Sequence, residues 1–211
     1  MEKITDLTWL DTHRWGVRGF NEGGRSQYNG FQFSPPGDWI TAPDWNATPH
    51  CGGGFHCLAP HATGGGFFGS QIELVEIDGA EVVVEGNKLK VERMRRVEHT
   101  RAVLADALRR CGIQILETGY DYHVTGMAVT YGNSAPGTVI VERGGWLYTH
   151  GNSAPGTVIV ERGGWLYTHG NSAPGTVIVE RGGWLYTHGN SAPGTVIVER
   201  GGWLYTHGNS A

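Results

Sequence analysis

One sentence of 19 residues, GTVIVERGGWLYTHGNSAP, governs what this chain can fold into: it starts at Gly137, Gly156, Gly175 and Gly194 and is copied without a substitution. The fourth copy lacks only its last proline. Residues 118–136, TGYDYHVTGMAVTYGNSAP, are a degraded version that keeps the 132–136 turn. So short a unit cannot bury its apolar face alone and must stack on its neighbours.

Within a copy, residues 138–142 and 146–150 are β-branched and aromatic runs of strand length, bounded by turn residues at 143–145 and 151–156. Gly and Pro interrupt every window long enough for a helix. Each copy therefore reads as strand, short turn, strand, longer turn. Stacked at about 4.8 Å, successive copies give two in-register parallel sheets. The expected fold class is mainly β, in four parts: an N-terminal β-rich domain (1–95), one capping α-helix with a connector (96–117), a degenerate first coil (118–136) and a two-sheet parallel β-solenoid (137–211), with right-handed winding the favoured hand.

A strand has two faces, and energetics selects which points inward. Pointing Glu142 and its copies inward would stack unpaired carboxylates in an apolar core, at several kcal/mol per ion. The core is therefore expected to hold Val139, Val141 and Leu147, with their copies Val158, Val160, Leu166, Val177, Val179 and Leu185. Trp146, Tyr148, Trp165, Tyr167, Trp184, Tyr186, Trp203 and Tyr205 then line the opposite, outer face, with His150, His169, His188 and His207 beside them. Aromatic columns of this kind exceed the apolar patch that a monomer usually exposes and call for a cover. A second copy related by a two-fold axis is the simplest one. Thr138, Ile140 and Glu142 make the other outer face, which water tolerates, and the Asn152 copies are expected to form an amide ladder in the longer turn.

Charge narrows the partners. Sixteen Lys and Arg against 20 Asp and Glu leave a net charge of −4, which argues against a uniformly basic nucleic-acid surface. No apolar run approaches the roughly 20 residues that span a bilayer, and the first residues contain no apolar signal core. The expectation is a cytoplasmic protein with itself as partner, no nucleic acid and no membrane. Three cysteines do not make a disulfide framework.

Ahead of the repeats, residues 97–111 place Val97, Leu104, Leu108 and Cys111 near one helical face, with Gly112 as a stop. This helix is expected to cover the open edge of the first coil. Residues 71–77, 81–85 and 88–93 read as three strands joined by turns at Asp78-Gly79 and Gly86-Asn87. Residues 1–66, rich in Gly, Pro and Trp, read as irregular β structure.

The densest gathering of reactive side chains is His50, Cys51, His56, Cys57 and His61. Zinc takes such ligands tetrahedrally, but the spacing is neither a paired CxxC nor HExxH. The expectation is no cofactor and no enzyme, with zinc at His50, Cys51, Cys57 and His61, or catalysis by His56 and Cys57, as the alternatives. The basic surplus over residues 88–110 reads as a solvated face. The Gly triplets at 52–54 and 64–66 lack the lysine and strand-loop-helix setting of a phosphate loop.

Cys51-Gly-Gly-Gly-Phe-His-Cys57, followed by the strands and Gly86-Asn-Lys-Leu-Lys-Val91, resembles a little-characterised bacterial and phage domain with a Cys-x-x-Gly-(Phe/Leu)-His turn and a later Gly-(Asp/Asn)-Lys hairpin. The resemblance covers residues 15–97 and implies no activity. The repeat half resembles bacterial β-solenoids with perfect repeats, which implies architecture and no ligand. The functional expectation is a structural or interaction protein that self-associates through its Trp/Tyr face, with a polysaccharide-binding aromatic platform as the runner-up.

Overall fold

The computed structural model describes residues 3–21, 23–26, 30–64, 71–189 and 193–208. The chain divides into two units, Met1–Gly112 and Ile113–Ala211.

In the first unit a short helix α1 (Trp9–Thr12) precedes strands β1 (Trp15–Phe20), β2 (Ile40–Thr41), β3 (Phe55–Cys57), β4 (Gln71–Val84) and β5 (Lys88–Arg96), and helix α2 (Arg101–Arg110) follows. The strands form one antiparallel sheet in the order β1-β4-β5-β2, with β3 also paired to β5. Asp78-Gly79 is not the turn that its sequence suggests. Residues 71–84 are one strand, and the register against β5 shifts between Asp78 and Glu81. This is a bulge, and Glu92 Oε2 accepts from Ala80 N at 3.0 Å. The strand reverses only at Gly86 and Asn87, whose φ values of 77° and 56° suit a tight hairpin. Phe20, Phe33 and Phe55 meet at 5.1 Å centroid spacings over Val75, Leu89, Val91 and Met94.

Helix α2 begins later than the apolar pattern alone suggests because Thr100, in extended conformation, caps it by accepting from Val103 N. It buries Val103, Leu104, Ala107 and Leu108 and lies against β1 and β4 of its own unit. Among the described residues no helix is long and apolar enough to cross a membrane.

The second unit is a β-solenoid. Its strands are β6 (Gln114–Ile115), β7 (Tyr122–Val124), β8 (Met127–Thr130), β9 (Thr138–Val141), β10 (Trp146–Thr149), β11 (Thr157–Val160), β12 (Trp165–His169), β13 (Thr176–Val179), β14 (Trp184–His188), β15 (Thr195–Val198) and β16 (Trp203–His207). They alternate between two parallel sheets, ordered β16-β14-β12-β10-β8-β6 and β15-β13-β11-β9-β7. Each strand lies beside its own copy, so Trp146 is opposite Trp165, Trp165 opposite Trp184, and Val139 opposite Val158.

The solenoid starts before residue 118, because β6 pairs with β8. Its first coil is also shorter. Met127 stands opposite Trp146, 19 residues on, but Tyr122 stands opposite Val139, only 17 residues on. The difference lies in the short turn, where Thr125 and Gly126 replace a four-residue Glu-Arg-Gly-Gly turn.

That four-residue turn explains two of the glycines. Gly145 N donates to Glu142 O at 2.8 Å, and Gly144 takes φ +82°, the geometry of a type II turn. At Gly145 the constraint is space: a Cβ there would come within 2.0 Å of Val124 O.

Between the sheets Val139, Val141, Leu147, Val158, Val160, Leu166, Val177, Val179 and Leu185 are buried, together with Leu116, Val124 and Ala128. Each buried aliphatic side chain contributes roughly 1.5–3 kcal/mol. At the long-turn end the interior is polar, with Ser153, Ser172, Thr149 and Thr168 fully buried. Ser153 Oγ lies 2.5 Å from Thr130 Oγ1, and Ser172 Oγ 2.7 Å from Thr149 Oγ1, which closes the hydroxyls on one another from coil to coil. Outside, Asn152 Nδ2 donates to Asn133 Oδ1 and Asn171 Nδ2 to Asn152 Oδ1, both at 3.4 Å.

Candidate functional site

In-register pairing of identical strands brings identical rings together at the inter-strand spacing. The indoles of Trp146, Trp165, Trp184 and Trp203 stack at 5.0, 4.7 and 4.8 Å with planes within 7°. The phenols of Tyr148, Tyr167, Tyr186 and Tyr205 run beside them at 5.0, 5.4 and 4.9 Å, the middle step tilted by 44°. The imidazoles of His150, His169, His188 and His207 form a third column at 5.5, 5.5 and 5.0 Å. All three columns lie on the outer face of the sheet, because the intervening Leu147 and Thr149 positions point into the core.

The face is not evenly exposed. Tyr148, His150 and His169 are buried, Trp146 and Trp165 are half-buried, and exposure then rises along the columns. Trp184, stacked on both sides, is still 36% exposed, whereas Trp203 and Tyr205 are exposed together with the inward-facing Leu204 and Val198 of their coil, so their exposure does not measure the face. Stacking takes ring faces out of water and leaves ring edges outward. In the first perfect copy the edges of Tyr148 and His150 are covered too, while Trp146 stays half-buried.

Burial sets the protonation of the face. It raises the Tyr167 hydroxyl above the usual phenol range, with Tyr186 adding to the effect, and does the same for Tyr186 with help from Tyr205. It pushes His169 down to about 4, with the neighbouring His188 as a second cause. His188 is lowered by burial and then by His207. At neutral pH these four side chains are uncharged.

The His/Cys segment of the first unit is organised around Lys90, a residue that motif reading overlooks. Lys90 is fully buried, and its ammonium donates to Asn46 Oδ1, Thr48 O, His50 O and Gly52 O at 3.1, 2.7, 3.1 and 3.1 Å. A buried charge needs such a shell. Turning three carbonyls inward sends the neighbouring side chains outward. Cys51 is exposed, His50 Nδ1 pairs with Glu85 Oε1 at 3.2 Å, and His61 faces Glu81 at 3.7 Å. Cys57 points into the core. Among the described residues no group of three or more His, Cys, Asp or Glu side chains is placed to hold a metal ion.

His56 and Cys57 are adjacent but ill-suited to nucleophilic chemistry. Burial, then the positive charge of Arg18, lowers His56 to about 4, and burial pushes the Cys57 thiol up to about 12. A reactive cysteine needs the opposite shift.

No family model, curated protein or solved structure matches the chain, so the resemblance of residues 15–97 to a bacterial and phage domain remains a likeness of motif.

Proposed function

We propose that this is a structural or interaction protein in which the aromatic face of the solenoid pairs two copies of the chain. The observation that carries this reading is Trp184: an indole stacked on both faces by its own copies and still more than a third exposed along its edge. Because Tyr148 is already covered, the pairing surface is displaced toward Trp184, Tyr186, Trp203 and Tyr205. Over the two coils that carry those residues, a face about five residues wide offers roughly 150 Å² per copy. That extent is well below the size of a stable dimer contact, so pairing through it is weak and needs high concentration.

A polysaccharide platform is the weaker reading on this geometry. Sugars pack on ring faces, and here those faces are taken by neighbouring coils. An enzymatic first domain is weakened by the neutral His56 and Cys57 pair described above. Three free cysteines suit a reducing compartment such as the cytoplasm.

Sedimentation from about 5 to about 200 µM, the range in which an interface this small associates, tests the proposal. The expected mass rises from 22.9 kDa toward twice that value, and Trp184→Ser with Trp203→Ser abolishes the rise. Wild-type protein that stays monomeric throughout would overturn the reading. Iodide quenching separates it from the glycan platform, because pairing shields the indoles as concentration rises and a platform leaves them open.

A further inference from the structure

The third column of the aromatic face is built from imidazole, the side chain whose unperturbed charge change lies nearest physiological pH. His188 and His207 stack at 5.0 Å with planes within 4°, and His169 continues the column 5.5 Å from His188. Tyr186 lies 6.4 Å from His188 on the same strand, so the imidazoles belong to the surface that the phenols form. His188 is faced by His169 and Tyr167 from β12 and by His207 and Tyr205 from β16, a set of neutral rings. The charged residues of these coils, Glu180, Arg181, Glu199 and Arg200, stand in the short turn at the opposite end of the strand. The long turn next to the histidines contains no charged residue.

From this column we infer that pairing through the aromatic face is released by acid: neutral imidazoles are covered in the pair, and protonation of His188 and His207 separates the copies. The inference rests on the pairing proposed above and adds its regulation. The sign follows from linkage. Covering an imidazole disfavours its charged form, so the separated chain binds protons more readily than the pair, and lowering pH shifts the equilibrium toward separation. Burial already lowers His188 within one copy. His169, deeper in the column and lower still, protonates later, so the face releases before the coils themselves are disturbed.

The experiment is sedimentation of the full chain at about pH 7.5 and about pH 5, either side of the ordinary histidine value, with far-UV circular dichroism at each. The expected result is association weakened roughly tenfold or more at the lower pH, with the β-sheet band unchanged, and loss of that pH response in a His188→Gln, His207→Gln double variant. If the double variant does not fold, His207→Gln alone, at an exposed position, carries the test and should reduce the response. Wild-type protein that pairs equally at both values would overturn acid release while leaving the pairing intact. Loss of the β-sheet band together with mass would overturn it too, since the coils would then be unfolding. A wild-type monomer at the higher pH would defeat the pairing itself and the inference with it.

Discussion

Ser172 Oγ lies 2.7 Å from Thr149 Oγ1, and Thr149 Oγ1 in turn lies 3.4 Å from Tyr167 O, so two buried hydroxyls on successive coils satisfy one another inside the wall. Removing one partner leaves the other without water to replace it. Ser172→Ala should cost about 1–3 kcal/mol, read as a lower urea midpoint. Asn171→Ala, next door but exposed with a 3.4 Å amide contact, should change stability by no more than about 0.5 kcal/mol. Equal effects at the two sites would contradict a structural role for the interior hydroxyl chain.

The paired glycines of the short turn separate conformation from space. Gly144 has φ +82° and open surroundings, so Gly144→Ala should cost about 1–2 kcal/mol from backbone strain. At Gly145 a Cβ would press on Val124 O at 2.0 Å and Glu142 O at 3.0 Å. Gly145→Ala should therefore cost about 3 kcal/mol or more. Thermal unfolding of the two variants checks the order.

Lys90→Met should be the most damaging single change in the first unit. It leaves four oxygens that now receive the ammonium without a donor, a loss of about 3–5 kcal/mol by comparison with other broken buried charge sites. The segment carrying His50 and Cys51 should loosen. Thiol titration reports it: Cys51 reacts readily in the wild type, Cys57 does not, and Cys57 becomes reactive in the variant.

Stability of the solenoid should fall with acid in a defined window. His169 is lowered to about 4 when folded, against 6.5 for a free imidazole. Between those values the unfolded chain binds the proton and the folded chain does not, so stability is unaffected above about 6.5 and declines as pH falls toward about 4. The gap is worth about 3 kcal/mol at most. Urea titrations from neutral to acidic pH should show the decline in wild type and a flatter profile in His169→Gln. An unchanged slope in the variant would place the acid sensitivity elsewhere.

The repeat half was legible because its rule is local. Alternation along a strand, together with the cost of burying Glu142, selects the Val139, Val141 and Leu147 face without knowledge of anything distant. Identical copies do the rest by placing each ring beside its equivalent. What escaped sequence reading depends on partners far along the chain. Lys90 looks like one more surface lysine until carbonyls from residues 48–52 close around it, some 40 positions earlier. Asp78-Gly79 looks like a hairpin turn, but the side chain of Glu92 on the facing strand lets it continue as a bulge. The graded burial of Tyr148, His150 and His169 has no counterpart in the repeat, since every copy has the same letters and only position along the stack differs. The seventeen-residue step at Tyr122 was hidden for a related reason: the degraded copy has 19 residues, and the shortfall in its turn shows only once the strands are paired.

Strand registration between neighbouring coils makes this wall a counter of residues. Adding or removing one whole unit would lengthen or shorten it without touching any contact elsewhere. An odd slip within a strand would instead exchange lining for surface, presenting carboxylates to the interior and aliphatics to water. A gene built this way tolerates recombination in steps of 57 nucleotides, three for each of the 19 residues in a unit, and penalises nearly every other length change. The uniform copies carry the marks of that arithmetic.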